Sequence, residues 1–285
     1  MIHMIITINE YKIIIDYSVE KDLKSFKEEV LNELYSIYKN QNVNDLLFSG
    51  GMDSTFILRS LLELGIKPNL HTLCFAEDAS DYDSINAKQQ CKKYGIKEPN
   101  FFFLDIKDIV EYINFLTFEK QVALPSLHGY YVDYFLSKMQ EIKFFSGMSC
   151  EFRLLPNGII TMGINPPLLK LKNPNRLYAF DTSRTILSYV NDPIFKDNYL
   201  KEQPQCPIGE NKWHIRNLIY NNCYSDISII EKNLPGDKHI SEFFHKNFVP
   251  IIIEKFPLMG LIKPFAFNVQ EYFQNKSLRE KNELS

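Results

Sequence analysis

Glycine is scarce in this sequence, 11 of 285 residues, against the about 7% usual in proteins. Any glycine pair therefore stands out. Cysteine occurs five times, at 74, 91, 150, 206 and 223, an odd total with no CxxC pair. That argues against a disulfide framework or a zinc knuckle and fits a reducing compartment. No apolar run approaches the roughly 18 residues of a membrane helix. The first apolar stretch, Ile2 to Ile6, is broken by His3 and followed by Glu10 and Lys12, too short for a signal peptide or a span. Neither sign of charge prevails: 32 Lys and Arg against 35 Asp and Glu leave a formal net charge of −3. The total gives no electrostatic push toward nucleic acid or an anionic membrane, although a local basic groove stays open. Internal repeats and low-complexity linkers are absent as well. The expectation is a soluble, cytoplasmic protein with no membrane partner.

What is present is ordinary in bulk, 45% hydrophobic and 24% charged, and long enough for one large core or a main domain with a companion. Residues 4–17 hold two β-branched runs around Asn9-Glu10, a hairpin pattern. Leu23, Phe26, Val30, Leu31, Leu34 and Ile37 then recur at helical spacing, with Ser18 as the expected cap. From Asn44 the pattern is strand, turn, helix: "DLLFS", "GGMD", then Ser54 to Leu64 ended by Gly65. Strands follow at 70–75, 100–106 and 143–147. Helices are expected from Ser80, with Asp83 completing a capping box, to Tyr94; over 107–118; and from Pro125-Ser126 to about Gln140. This alternation predicts an α/β fold, a parallel sheet with helices on both faces. After Gly147 the rhythm changes. Residues 152–162 read as a hairpin around Pro156-Asn157-Gly158, 163–212 give no clear period, and helical patterns return at 213–233 and 240–256. The division expected is a hairpin (1–17), an α/β nucleotide-binding domain (18–150) and a mixed, largely helical C-terminal region (151–285) completing the acceptor site.

The glycine pair sits in "LLFSGGMDSTFIL", residues 46–58. One reading is a tight turn, with Asp53 or Ser54 as helix cap. The position favours another. The pair ends a strand that opens a parallel region, where ligands bind in open sheets. Backbone N–H groups at the glycines and the positive end of the next helix form an anion site. Ser49 and Ser54 add hydroxyls, and Asp53 can hold a divalent cation against phosphate oxygens. No Gly-Lys-Ser/Thr follows, so this is not a Walker A loop.

Ser49-Gly50-Gly51-x-Asp53-Ser54 resembles the SGGxDS pyrophosphate loop of the N-type ATP pyrophosphatases. This superfamily includes asparagine synthetase, β-lactam synthetase, GMP synthetase, NAD synthetase, deazaguanine synthase and several tRNA-modifying enzymes. The resemblance implies an adenine nucleotide α-hydrolase-like fold of the HUP type, binding of ATP and Mg²⁺, adenylation of a carboxylate or carbonyl oxygen, and release of pyrophosphate into the loop. A nitrogen or sulfur nucleophile then displaces AMP. The surroundings look most like the synthetase domain of asparagine synthetase. "LCFAEDASDYDSINAKQQCKKYGI" (73–96) is similar to that family's second strand, acidic loop and helix; "PSLHGYYVDYFLSKMQEIKFFSGMSCE" (125–151) is similar to its proline–serine helix, strand and SGEGADE loop. The likeness covers about residues 20–155. It implies that Ser49, Gly50, Gly51 and Ser54 hold the β- and γ-phosphates. Leu47, Phe75 and Gly147, with Ser146 beside them, then bind adenosine, and Asp53 and Glu151 share Mg²⁺ and the catalytic role.

Departures bear on the acceptor. Met148 falls where the family has the glutamate that faces its amino-acid substrate, which puts aspartate as substrate in doubt; a buried filler is the other reading of Met148, and a solvated turn residue that of Glu151. No cysteine precedes Cys74 and fewer than 50 residues precede the loop. The expectation is that glutamine hydrolysis lies outside this chain, with nitrogen from free ammonia, an amine, an internal nucleophile or a separate glutaminase partner. The zinc cysteines of the deazaguanine branch are missing. Cys150 is a reactive thiol or a small core residue; His128, Arg153, Lys170 and Lys263 are site candidates with equally plain structural readings. The expected activity is an ATP-dependent ligase that adenylates a carboxylate and forms an amide or related C–N bond. Modification of a tRNA or DNA nucleobase by the same chemistry, or non-catalytic binding of ATP or AMP, are the alternatives.

Overall fold

The structure, a computed structural model, describes residues 3–8, 11–75, 82–120, 127–139, 142–146, 150–154, 160–164, 176–178, 180, 182–199 and 211–227, with 246, 250, 267–268, 273–274 and 276 beyond them. Strands β1 (His3–Ile8) and β2 (Tyr11–Asp16) pair antiparallel, Ile8 opposite Tyr11, as the β-branched runs require. Five short strands then build the main sheet: β3 (Asp45–Leu47), β4 (Asn69–Phe75), β5 (Asn100–Leu104), β6 (Phe144–Ser146) and β9 (Arg176–Tyr178). Their order is β5-β4-β3-β6-β9, and every neighbouring pair is parallel. β9 arises within the stretch whose sequence shows no clear period. The chain runs outward from β3 to β5, then crosses to β6 and β9 on the other side, so the order reverses between β3 and β6.

Both faces of the sheet are covered, which is why its strands read as continuous apolar runs. Leu46 and Phe145 enter one core, while Leu47 and Phe144 belong to the other. The first core holds α1 (Phe26–Gln41), α2 (Met52–Glu63), α3 (Tyr82–Tyr94), α6 (Ser183–Asn191), α7 (Pro193–Tyr199) and α8 (Asn211–Cys223). The second holds α4 (Ile106–Asn114) and α5 (Leu127–Lys138). The helix expected over 107–118 is present as α4 continued by a π-helical turn at Phe115–Glu119.

The helix expected from Ser18 begins later. Ser18 donates its N–H to the Asp16 carboxylate at 2.8 Å, and Tyr17–Asp22 form a 3₁₀ turn. Ser25 and Glu28 close a capping box at the start of α1, whereas Ser18 has Lys21 at the third position, with no acceptor to complete one. Phe26, Val30, Leu34 and Ile37 then face the core, and Glu29 is buried with them. The Glu29 carboxylate accepts from Lys24 N–H and from Arg184 Nε at 3.1 Å, fastening α6 to α1. The start expected at Ser80 lies outside the described residues, as does the helix expected over 240–256 apart from isolated positions.

Beyond residue 150 the expected hairpin is present: β7 (Cys150–Leu154) pairs antiparallel with β8 (Ile160–Ile164), and β10 (Phe267–Asn268) adds to β8. α8 is bound to α2 by aromatic rings. Tyr220 stacks on Phe56 at 4.1 Å between centroids, and Phe26 lies parallel to Tyr220 at 6.2 Å. Phe180, Tyr189 and Tyr224 close the cluster edgewise or tilted. Tyr224 OH donates to Ser60 Oγ, and Arg59 pairs with Asp226 at 3.1 Å.

Candidate functional site

Residues 48–54 connect the C-terminal end of β3 to the first turn of α2. Phe48 N–H donates to the His71 carbonyl at 2.8 Å, carrying the sheet ladder one residue past β3 before the chain turns away. Gly50 makes the turn at φ +65°, in the left-handed region that favours glycine. Space demands glycine there too: a Cβ would stand 2.4 Å from the Ala87 nitrogen and the Asn86 carbonyl carbon, so the loop lies directly on the backbone of α3. Gly51 is the N-cap of α2 and has no side chain to occupy the N–H groups of the first turn. Around it the serines form a small network. Ser54 Oγ donates to the Gly51 carbonyl at 3.1 Å, Gly51 N–H donates to Ser49 Oγ at 3.3 Å, and the two hydroxyls lie 3.4 Å apart. The result is a loop with uncapped N–H groups, at the positive end of a helix and at the point where strand order reverses.

Asp53 lies in the first turn of α2 and is engaged from α8. Arg216 Nη1 donates to Asp53 Oδ2 at 2.9 Å, and Tyr220 OH donates to Asp53 Oδ1 at 2.9 Å. The Arg216 side chain is only 6% exposed and that of Asp53 27%. Burial, and then the Asp53 charge, push the Tyr220 hydroxyl well above its ordinary range, with Arg216 pulling the other way. It therefore stays a neutral donor. Neither Arg216 nor Tyr220 is among the residues the sequence singles out. Their spacing of four places them on one face of a helix, but nothing local names a partner 163 and 167 positions earlier.

The structure brings several expected residues to one end of the sheet. Leu47, Phe75 and Ser146 are the last residues of β3, β4 and β6, and Ser49 to Ser54 follow β3 directly. Ser146 is buried and sits one residue past the Leu46–Phe145 pair, beside Leu47. Glu151 and Arg153 lie on β7, which packs against α8, so the strand carrying Glu151 runs beside the helix carrying Arg216. The side chains of Phe75, His128, Cys150, Glu151 and Arg153 lie outside the described set, as do Gly147, Met148, Lys170 and Lys263 entirely.

The resemblance implies a divalent cation on Asp53, and the surrounding donors test that. Both Asp53 oxygens already accept from Arg216 and Tyr220. Among the described residues no three of His, Cys, Asp and Glu gather as a metal site. At Asp53 a guanidinium therefore meets the charge that a metal would meet, while the carboxylate of Glu151, the other expected cation ligand, lies outside the described set.

No protein-family model matches the chain. It is similar to the microcin J25-processing protein McjC of Escherichia coli, 31% identical over 81 residues, which are 28% of this chain and 15% of that protein. No helix among the described residues is long and apolar enough to cross a membrane.

Proposed function

We propose that this chain is an ATP-dependent synthetase that adenylates a carboxylate and forms an amide or related C–N bond. The observation that carries the reading is the 49–54 loop. Its glycine is required by both φ and space, its helix N-terminus is uncapped, and it lies at the reversal of strand order. The resemblance to the asparagine synthetase domain supplies the reaction class. The similarity to a protein named for processing microcin J25 supports testing peptides as well as amino acids as acceptors.

In this reading the polyphosphate of ATP rests against the N–H groups of the loop and the hydroxyls of Ser49 and Ser54, with adenosine at the ends of β3, β4 and β6. A substrate carboxylate oxygen attacks the α-phosphorus. The bond from that phosphorus to the bridging oxygen breaks, and pyrophosphate leaves with the electron pair, its new charge met by donors fixed before the reaction. An amine, free or released by a separate glutaminase, then attacks the acyl carbon and AMP departs. Met148, where the resembled family has a glutamate, speaks for an acceptor other than free aspartate.

The test is an incubation with ATP and pooled amino acids, peptides, nucleosides or tRNA, with Mg²⁺ and separately with EDTA. Acceptor-dependent pyrophosphate and AMP are expected. ADP and phosphate instead would sink the mechanism, and dependence on tRNA alone would move the chain to nucleobase modification. A wild type as silent as Asp53→Ala would favour a nucleotide-binding protein without catalysis.

A further inference from the structure

An aspartate in the first turn of a phosphate-binding helix creates a conflict. Its carboxylate suits the helix end, yet it repels the phosphates that the N–H groups attract. A counter-charge is needed at that carboxylate, and the fold brings one from α8. We propose that Arg216 is a phosphate ligand of the 49–54 loop, and that Asp53 acts as its positioning residue rather than as a cation ligand; this rests on the nucleotide-binding reading above.

Three observations converge. Arg216 Nη1 lies 2.9 Å from Asp53 Oδ2, which places the guanidinium at the rim of the loop. Its side chain is 6% exposed, so it is ordered before any ligand arrives and little rotamer freedom is lost on binding. The other Asp53 oxygen is fixed by Tyr220, whose ring is itself stacked on Phe56 of α2, so the carboxylate and α8 are held together. A guanidinium is planar and carries five donors, which suits it to meet a carboxylate along one edge and a phosphate along another. Among the described residues, Arg216 sets a positive side chain against the negative Asp53 beside the positive helix end, and without it Asp53 loses the one guanidinium those residues show on its carboxylate. The rival role is purely mechanical: the pair clamps α8 onto α2 and never touches ligand.

The two roles separate in a double-mutant cycle on the full chain, with inorganic pyrophosphate as the probe, titrated by calorimetry in EDTA. Arg216→Ala is expected to weaken pyrophosphate binding by about tenfold or more, both in the wild type and in the Asp53→Ala background. Unchanged affinity in the Asp53→Ala background overturns the proposal and leaves the pair a clamp. Arg216→Gln keeps the stem and an N–H donor for Asp53 but removes the charge, and it decides the matter if Arg216→Ala does not fold. The same loss is expected there, and unchanged affinity again overturns the proposal. A wild type that binds neither pyrophosphate nor ATP overturns both this inference and the function above. Arg216-dependent pyrophosphate binding without acceptor-dependent release of pyrophosphate from ATP upholds the inference and removes only the synthetase reading.

Discussion

Gly50 and Gly65 have nearly the same backbone angle, φ +65° and +74°, in very different surroundings. Among the described residues Gly65 has no atom within 4 Å of a would-be Cβ beyond its chain neighbours, while Gly50 meets the backbone of α3 at 2.4 Å. Gly65→Ala should therefore cost about 1–2 kcal/mol, the left-handed term alone. Gly50→Ala should cost roughly 2–5 kcal/mol, because overpacking against a rigid backbone is added, and it should also abolish pyrophosphate binding. Urea denaturation of the two variants checks this; equal losses would mean that α3 yields. Tyr220→Phe keeps the stack on Phe56 and removes one donor from the Asp53 carboxylate, so about 1.5–3 kcal/mol should be lost. Tyr220→Ala, which also empties the ring site, should cost about 3–5 kcal/mol. The loop was legible in the sequence because its serines, glycines and aspartate are contiguous. Arg216 was not, since an arginine on a short helix carries no mark of the carboxylate it will meet.

Among the elements, α1 shows where local chemistry decides a boundary. Apolar spacing runs through Leu23, but the helix starts at Phe26 because Ser25 and Glu28 satisfy each other's backbone N–H groups. Ser25→Ala should cost about 1 kcal/mol, and Ser18→Ala, whose hydroxyl has no capping role at α1, should be close to neutral; thermal melts of the pair distinguish the two starts. α6 and α7 went unread in the sequence for a related reason. Their segment is short, rich in Ser, Thr and Asn and interrupted by Pro193, all weak helix signals. Thr182 and Thr185 form the capping box there, and burial of Ile186, Leu187 and Val190 holds the helix that propensity alone does not.

At the scale of the molecule, one core joins sequence that is far apart. Phe26 and Phe56 from the first quarter pack with Phe180, Tyr189, Tyr220 and Tyr224. A fragment ending at residue 150 would expose that cluster, and it should fail to give a cooperative melt or slow hydrogen exchange in α2. The core also sets an alkaline limit. Burial, with the Glu98 charge, pushes the Cys91 thiol from 9.0 up to about 11. Burial, then the Asp226 charge, pushes the Tyr94 hydroxyl from 10.0 up to about 12. The unfolded chain releases these protons at lower pH than the folded chain does, so stability falls as pH rises. The thiol's contribution is whole below about pH 9 and is lost between about 9 and 11; the phenol's goes between about 10 and 12. Urea midpoints should decline from about pH 9, and Cys91→Ala should flatten the first part of that decline.

The sequence by itself determined the alternation of strands and helices, the parallel sheet covered on both faces, and the loop with its glycine pair. Each of these depends on residues adjacent in the chain or repeating at a fixed period. Only the tertiary structure decided that the loop stands where strand order reverses, that Gly50 lies against α3, and that Asp53 is paired with Arg216 and Tyr220. Those facts belong to pairs of segments brought together by burial of a shared aromatic core, and burial is blind to sequence distance.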